Sequence, residues 1–402
     1  MTSDPVPPTQ LHTPADGVPD VITTNRSLAE YAERARGGDG PVALDAERAS
    51  GFRYSQRAYL IQVRTREAGT ALIDPIEIND FSPLADALDH REWILHAASQ
   101  DLACLSEVGL VPRRIFDTEL AGRLVGRERV GLAAIVESEL GLLLEKGHGA
   151  ADWSTRPLPA NWLNYAALDV EVLIELRDVL DAELRDAGKR EWAEQEFEHV
   201  RMNLASAPVR IDPWRRTSGI HKVRQRRNLA VVRELWLERD RVAKQRDIAS
   251  GRILPDKAIV EAATVYPKTL TELGKVAGFT GKGQQRRLPT WWSAVERAQR
   301  MDEHDWPQQP PPSDGPPAVR NWAEKNPEAF ARLEAAKRGI AVLSAERSVP
   351  AENLMQPELV RRACWENPPD LAEYLARGGA RPWQIALLMP ILQPSEDFVT
   401  GE

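Results

Sequence analysis

The sequence predicts a mixed α/β domain followed by two small helical domains, and three observations carry that prediction. In the first half of the chain, short apolar runs at hairpin-like spacing give way to runs that alternate with helical patterns. From Asp212 onward the pattern is helical only. A stretch with six prolines between Pro307 and Pro317, DWPQQPPPSDGPP, then divides that helical part and reads as a stiff, extended linker. With 402 residues the chain has room for two or three domains, and 42% apolar and 28% charged residues suit packed cores.

Taken in order, residues 1–20 are rich in proline (Pro5, Pro7, Pro8, Pro14, Pro19) and read as a flexible tail. Residues 21–207 form the α/β domain. Its strands are expected at 42–44, 59–63, 71–73, 92–96 and 114–117. Its helices are expected at 102–108, 118–125 and 132–140, with one long helix over 160–187. A first helical domain spans 212–300, with a long helix at 222–244 and shorter ones at 257–264 and 269–276. The linker covers 302–318 and a second helical domain 319–394. The two helical domains look related at an offset of 101 residues: Arg246 matches Arg347, Ile259 matches Val360, Pro267 matches Pro368, and Glu272 matches Glu373.

Several classes are excluded early. No uncharged apolar run reaches the ~18 residues of a membrane span, and residues 1–20 have neither the basic start nor the apolar stretch of a signal peptide. Cys104 and Cys364 are the only cysteines, too few for a disulfide framework, so the reducing cytoplasm is the expected compartment. The net charge of −8 hides an asymmetry. Residues 214–300 hold 20 Lys and Arg against 8 Asp and Glu, while the remainder holds 32 against 52. A basic region inside an acidic chain points to a polyanionic partner.

Four carboxylates stand out by context. Asp45 and Glu47 end the first expected strand, where i and i+2 share a face. Two anions aimed at one place repel unless cations neutralise them. Asp101 lies where a helix begins, just past the strand that ends at His96. Asp169 lies on the long helix one turn after Tyr165, on the same face. Each pattern has an ordinary alternative, since D-x-E is common and an Asp at a helix start is usually a cap. Their order along one chain gives them weight. Hard oxygen donors suit two divalent cations, Mg²⁺ or Mn²⁺. Such a pair stabilises the attacking and leaving oxygens of a phosphoryl displacement, with Tyr165 placed to orient the water.

These segments, LDAERASGFRYSQRAYLIQV, HAASQDLACL and NYAALDVEVLIEL, resemble in order the three exonuclease motifs of the DEDD superfamily of 3′→5′ exonucleases, in its tyrosine subgroup and the ribonuclease D family. IFDTELAGRLVG and KGHGAADWSTRPLP match between them. The resemblance covers about residues 25–190. It implies an RNase H-like fold, Asp45, Glu47, Asp101 and Asp169 as metal ligands, and Tyr165 as the residue that positions the water. His148-Gly149-Ala150-Ala151 departs from the family's polar pattern there, with consequences for how a substrate end is gripped. The stretch from Trp236 to Val276 resembles an HRDC domain (helicase and RNase D C-terminal), and residues 319–392 a second, diverged copy.

Further candidates for nucleic-acid contact are Gln62, His96, Lys146, Trp153 and Arg156 around the acidic groove. For His96 a structural role is favoured; for Trp153 and Arg156, anchoring a loop is an equal alternative. In the basic region the candidates are Arg215, Arg216, Lys222, Arg224, Arg226, Arg227, Lys282, Arg286 and Arg287, interleaved with Trp236, Trp291 and Trp292. The second helical domain has 10 basic and 9 acidic residues over 319–392, so packing is its expected role.

The function expected is metal-dependent 3′→5′ trimming of RNA, with precursor tRNA as substrate and nucleoside 5′-monophosphates as products. Two alternatives stay open. One is the same chemistry on DNA, distinguished by comparing matched RNA and DNA oligonucleotides. The other is a catalytically inactive nucleic-acid-binding scaffold, whose mark would be a missing carboxylate. No membrane is expected as a partner. The oligomeric state stays open, with a monomer as the expectation.

Overall fold

In a computed structural model, residues 7–145, 147–203, 211–308 and 315–393 are described. The α/β part is built on a six-stranded mixed sheet. In chain order its elements are β1 (Thr9–Leu11), β2 (Val21–Ile22), α1 (Asn25–Ala35), β3 (Val42–Arg48), β4 (Ala58–Thr65), β5 (Gly69–Ile73), α2 (Ser82–Leu88), β6 (Glu92–Leu95), α3 (Leu102–Glu107), β7 (Arg114–Asp117), α4 (Thr118–Leu124), α5 (Leu132–Leu140), β8 (Leu142–Leu144), α6 (Ala160–Glu171), α7 (Leu173–Asp186) and α8 (Arg190–Met202). The sheet order is β2-β5-β4-β3-β6-β7. β3, β4 and β5 form an antiparallel meander, and β6 and β7 add parallel to β3.

β3 is central because its apolar run is buried: Val42, Ala43 and Leu44 have no exposed surface. β4 pairs with it so that Asp45 lies opposite Gln62 and Glu47 opposite Leu60. One face of the sheet carries α6, whose Ala166 and Ala167 pack with Leu60, Leu72 and Trp153. The other face closes over Leu28, Leu84, Leu102 and Leu105 from α1, α2 and α3.

Two expectations change. The apolar pattern predicts one helix over 160–187, but α6 ends at Glu171 and α7 restarts at Leu173. The bend lets α6 lie on β3, β4 and β5 while α7 packs against α4 and α5. The apolar period runs on through it, so the sequence does not show the change of direction. Residues 7–15 are not a free tail either. β1 pairs in parallel with β8 in a separate two-stranded ribbon, Leu11 packs on the core and Pro14 is buried. Proline in this segment fits an edge strand and its flanks, where no ladder donor is needed.

The helical domains share one plan. The helices Arg226–Arg246, Ser250–Ile253 and Asp256–Val265 recur as Pro327–Arg347, Ala351–Leu354 and Pro357–Glu366, each displaced by 101 residues. Asp247 and Tyr266 take left-handed backbone (φ 47° and 55°), and so do Ser348 and Asn367 (48° and 46°) at the same displacement. Their packing differs. The basic domain has its own core around Leu235, Ile259, Phe279 and Trp291. The second domain shares the core of the α/β part, through Trp322, Leu375 and Trp383. Trp383 stacks on Trp192 (4.8 Å between centroids, 13° between planes) and Arg381 pairs with buried Glu196 at 2.6 Å. Lys189 Nζ donates to the carbonyls of Leu124 and Arg347 at 2.6 and 2.5 Å.

Candidate active site

A cleft of about 800 Å³ opens at the ends of β3 and β6, lined by Asp45, Glu47, Arg48, His96, Asp101, Arg129, Tyr165 and Asp169 among others. β3 delivers Asp45 and Glu47 on its α6 face. α6 delivers Tyr165 and Asp169 from above, and the turn after β6 delivers Asp101. The five residues that sequence reasoning placed in one site therefore meet in one cleft. Asp45, Glu47 and Asp169 bring carboxylate oxygens within 4.8 Å of one another. Asp101 stands outside that group, and Arg48 Nη2 lies 3.7 Å from its Oδ1.

Asp101 occupies the cap position of α3, yet its side chain caps nothing. It is free to face the cleft because a different residue holds the turn. Asp117, at the end of β7 and 2% exposed, accepts from the backbone N–H of Ala97 and Ala98 at 3.1 and 2.8 Å, and caps α4 through Glu119 N. Ala97 is thereby kept in left-handed backbone (φ 57°), which turns the chain from β6 toward Asp101. Burial pushes the Asp117 carboxyl up to about 6 despite these bonds. Sequence reasoning took Asp117 only as a strand end; its place just before a helical run is the one signal of a cap.

The electrostatics are those of a site short of positive charge. Burial, then Asp45, Asp169 and Asp101, push Glu47 up to about 10, with Arg48 acting weakly against them. Burial is also the main cause that raises Asp45, Asp101 and Asp169, and Asp45 adds to the last two. Tyr165 is raised by burial and by Asp169 and Glu47, so its hydroxyl stays protonated. Buried like charges at this spacing fit a divalent cation, and carboxylate oxygen is the hard donor such an ion takes.

The rim of the cleft is the segment after β8. A Cβ at Gly147 would overlap the ring of Tyr165, so only glycine allows the chain this approach. His148 meets Tyr165 edge-on at 5.8 Å and Trp162 at 5.9 Å. The departure from the family's polar pattern thus packs on the Tyr165 side of α6.

The weaker candidates divide. His96 lines the cleft and its Nδ1 lies 2.9 Å from Thr118 Oγ1; burial lowers its pKa to about 4, so it is neutral. Gln62, Trp153 and Arg156 are corrected. Gln62 and Trp153 have no exposed surface, Gln62 beneath α6 and Trp153 donating to His148 O at 3.2 Å. Arg156 is spent on Asp74 (2.6 Å) and on the carbonyls of Tyr59 and Trp153, because Asp74 is itself a buried anion that needs a partner. Lys146 lies outside the described residues. In the basic domain Arg216, Lys222, Arg224, Arg227, Lys282 and Arg286 are exposed, and Arg287 is half-buried. Arg215 pairs with Asp212 and lies over Trp214, and Arg226 donates to the carbonyls of Glu303, Trp306 and Pro307; both are engaged within the fold. Trp291 is core, with Trp236 and Trp292 packed against it.

The basic domain docks on the β3–β4 connection. Tyr54 donates to Asp240 (3.0 Å), Ser55 N and Tyr59 donate to Asp247 (2.8 and 3.2 Å), and Arg252 donates to Gly51 O (2.7 Å) while covering Phe52. Ser50 and Gly51 of that connection line the cleft, so the basic domain stands at its mouth.

Known families resemble successive parts of this chain. A 3′-5′ exonuclease family matches residues 19–185, the HRDC domain family matches 228–295, and a 3′ to 5′ exonuclease C-terminal domain family matches 315–395. Ribonuclease D of Zymomonas mobilis is 33% identical, over 72% of this chain and 75% of its own. Ribonuclease D of Escherichia coli is 32% identical, over 72% and 77%. Among solved structures, a protein from Bifidobacterium adolescentis is 36% identical, with a TM-score of 0.89 over 96% of this chain and 98% of its own. Escherichia coli RNase D, described as an exoribonuclease involved in structured RNA processing, superposes with a TM-score of 0.68 at 27% identity, over 93% and 99%.

Proposed function

We propose, for a chain that belongs to the ribonuclease D family and is therefore a 3′→5′ exoribonuclease, that the acidic cleft is where it hydrolyses RNA. Asp45, Glu47, Asp101 and Asp169 would hold two divalent cations, Mg²⁺ or Mn²⁺. The observation that carries this reading is the meeting of three carboxylates within 4.8 Å beside Tyr165. Such cations supply an acidified water and charge stabilisation at the departing 3′ oxygen. The protein's own part is to orient. Tyr165, protonated at neutral pH, offers a hydroxyl to the attacking water from the α6 side. Asp169 stands one turn along on the same side, and the β3 pair forms the opposite wall. Arg48 and Arg129 supply positive charge at the cleft.

The substrate we propose is a structured RNA with a single-stranded 3′ end, such as the trailer of a precursor tRNA, shortened to release nucleoside 5′-monophosphates. The exposed cations of the basic domain, which docks on the β3–β4 connection beside the cleft, support a grip on the RNA body. We place this activity in the cytoplasm; Cys104 and Cys364, both buried free thiols, are in keeping with it.

The test is trimming of a labelled RNA with Mg²⁺ by the parent, Asp45→Asn and Asp169→Asn, with a matched DNA alongside. Loss of at least about 100-fold in each variant is expected for a lost ligand. Undiminished trimming by either variant overturns the site, and equal degradation of DNA overturns the RNA preference.

A further inference from the structure

We propose that residues 9–15 are a strap that positions the Tyr165 side of the cleft, so that an N-terminal segment outside the main sheet takes part in setting the rate. The inference rests on the reading of Tyr165 given above.

The strap makes three attachments, and each leads to the cleft. First, β1 is the only strand paired with β8 among the described residues. Thr9 N donates to Gly141 O at 2.8 Å, and the Gln10 side chain donates to Leu143 O at 3.0 Å. β8 runs directly into the rim, and Leu144, Glu145, Gly147 and Gly149 line the cleft. Leu142 and Leu144 also pack on the core, but among the described residues β1 alone supplies the ladder that fixes the register of so short a strand. Second, His12 O accepts from Asn164 Nδ2 at 2.8 Å. Asn164 immediately precedes Tyr165 on α6. Third, Ala15 N donates to Glu171 Oε1 at 3.2 Å, two residues after Asp169. Glu171 is itself anchored to the sheet by Arg64 at 2.8 Å.

The rim and α6 therefore reach Tyr165 from two sides, and the strap joins them. Gly147 closes on the Tyr165 ring, and a Cβ at Gly149 would lie 3.7 Å from the hydroxyl. If β8 drifts, the rim retreats and the ring gains rotational freedom. A hydroxyl that orients water by one hydrogen bond loses that advantage with small displacements. Asp45 and Glu47 are placed by β3, and Asp169 by α6, which is seated on β3, β4 and β5 through Ala166 and Ala167, so cation binding should survive loss of the strap.

The experiment is a double-mutant cycle on full-length protein, reading kcat and KM for a short single-stranded RNA with Mg²⁺. Thr9→Pro removes the N–H that bonds Gly141 O, Thr9→Val keeps it, and Asn164→Ala cuts the tie to His12. Each is made alone and with Tyr165→Phe. Thr9→Pro and Asn164→Ala are expected to lower kcat several-fold with KM within twofold of the parent, and to lower it no further in the Tyr165→Phe background. Thr9→Val should match the parent. Equal fold-losses in both backgrounds, or no loss with intact Tyr165, overturn the strap. If Tyr165→Phe alone leaves kcat unchanged, the water-positioning role fails, and the strap with it. A melting curve and Mn²⁺ binding for each variant separate positioning from unfolding; loss of either in both strap variants overturns the proposal.

Discussion

Burial, and then their mutual repulsion, holds Asp45, Glu47 and Asp169 back from their charged forms, and that penalty opposes folding until a cation arrives. Glu47→Gln should therefore raise the melting temperature of the protein in EDTA while abolishing most of its activity in Mg²⁺. A lower melting temperature in EDTA would show that the cluster is not strained. Tyr165→Phe removes one hydrogen bond to water and should slow kcat roughly tenfold, read on an RNA whose binding is unchanged. His96 supplies the pH-dependent prediction. Its folded pKa of about 4 lies below the ordinary 6.5, so over that interval the unfolded chain takes up a proton that the folded one does not. Stability is thus fully present above pH 6.5 and falls as pH drops toward 4. His96→Gln, which keeps a partner for Thr118, should lack that component when denaturant midpoints are compared across the interval. The residues that carry charge to the site were legible, because carboxylates at fixed spacing on a strand and a helix have few other uses together. Gln62, Trp153 and Arg156 misled for one reason: a polar or aromatic residue near a motif looks the same in sequence whether it faces a ligand or props the wall behind it.

The turn after β6 is the element whose construction decides where Asp101 points. Asp117→Ala would leave the N–H groups of Ala97, Ala98 and Glu119 unpaired and should cost about 2–3 kcal/mol. Activity should fall by more than the unfolded fraction explains, because Asp101 shifts with the turn; urea unfolding and single-turnover rates on the same samples check both. The strands of the meander and the helix starts could be read from apolar runs and turn residues. The bend between α6 and α7 could not, since the apolar stripe continues through it. β1 could not either, because its partner β8 lies more than 130 residues away and short edge strands carry no alternating pattern.

At the scale of the whole molecule, charge and packing divide the two related helical domains. The basic one keeps its own core and presents Lys222, Lys282 and Arg286 to solvent. Lys282→Ala with Arg286→Ala should weaken binding of a structured RNA and lower the salt slope by about 1–2. Turnover of a short oligonucleotide that reaches only the cleft should stay near the parent value; anisotropy across a salt series reads the first, and initial rates the second. Its relative has lost the basic excess and become part of the α/β core, a division that the near balance of charge over 319–392 foreshadows. That merger has a consequence for synthesis. Glu196 is buried and meets Arg381 and Trp383 only across 185 and 187 positions of chain. Until those residues leave the ribosome, the growing chain carries an unpaired carboxylate and a bare Trp192 on an otherwise completed sheet domain. Closing so long a loop is slow. The nascent exonuclease domain therefore keeps that face open to chaperones and proteases after its own translation is done, until Arg381 and Trp383 have emerged.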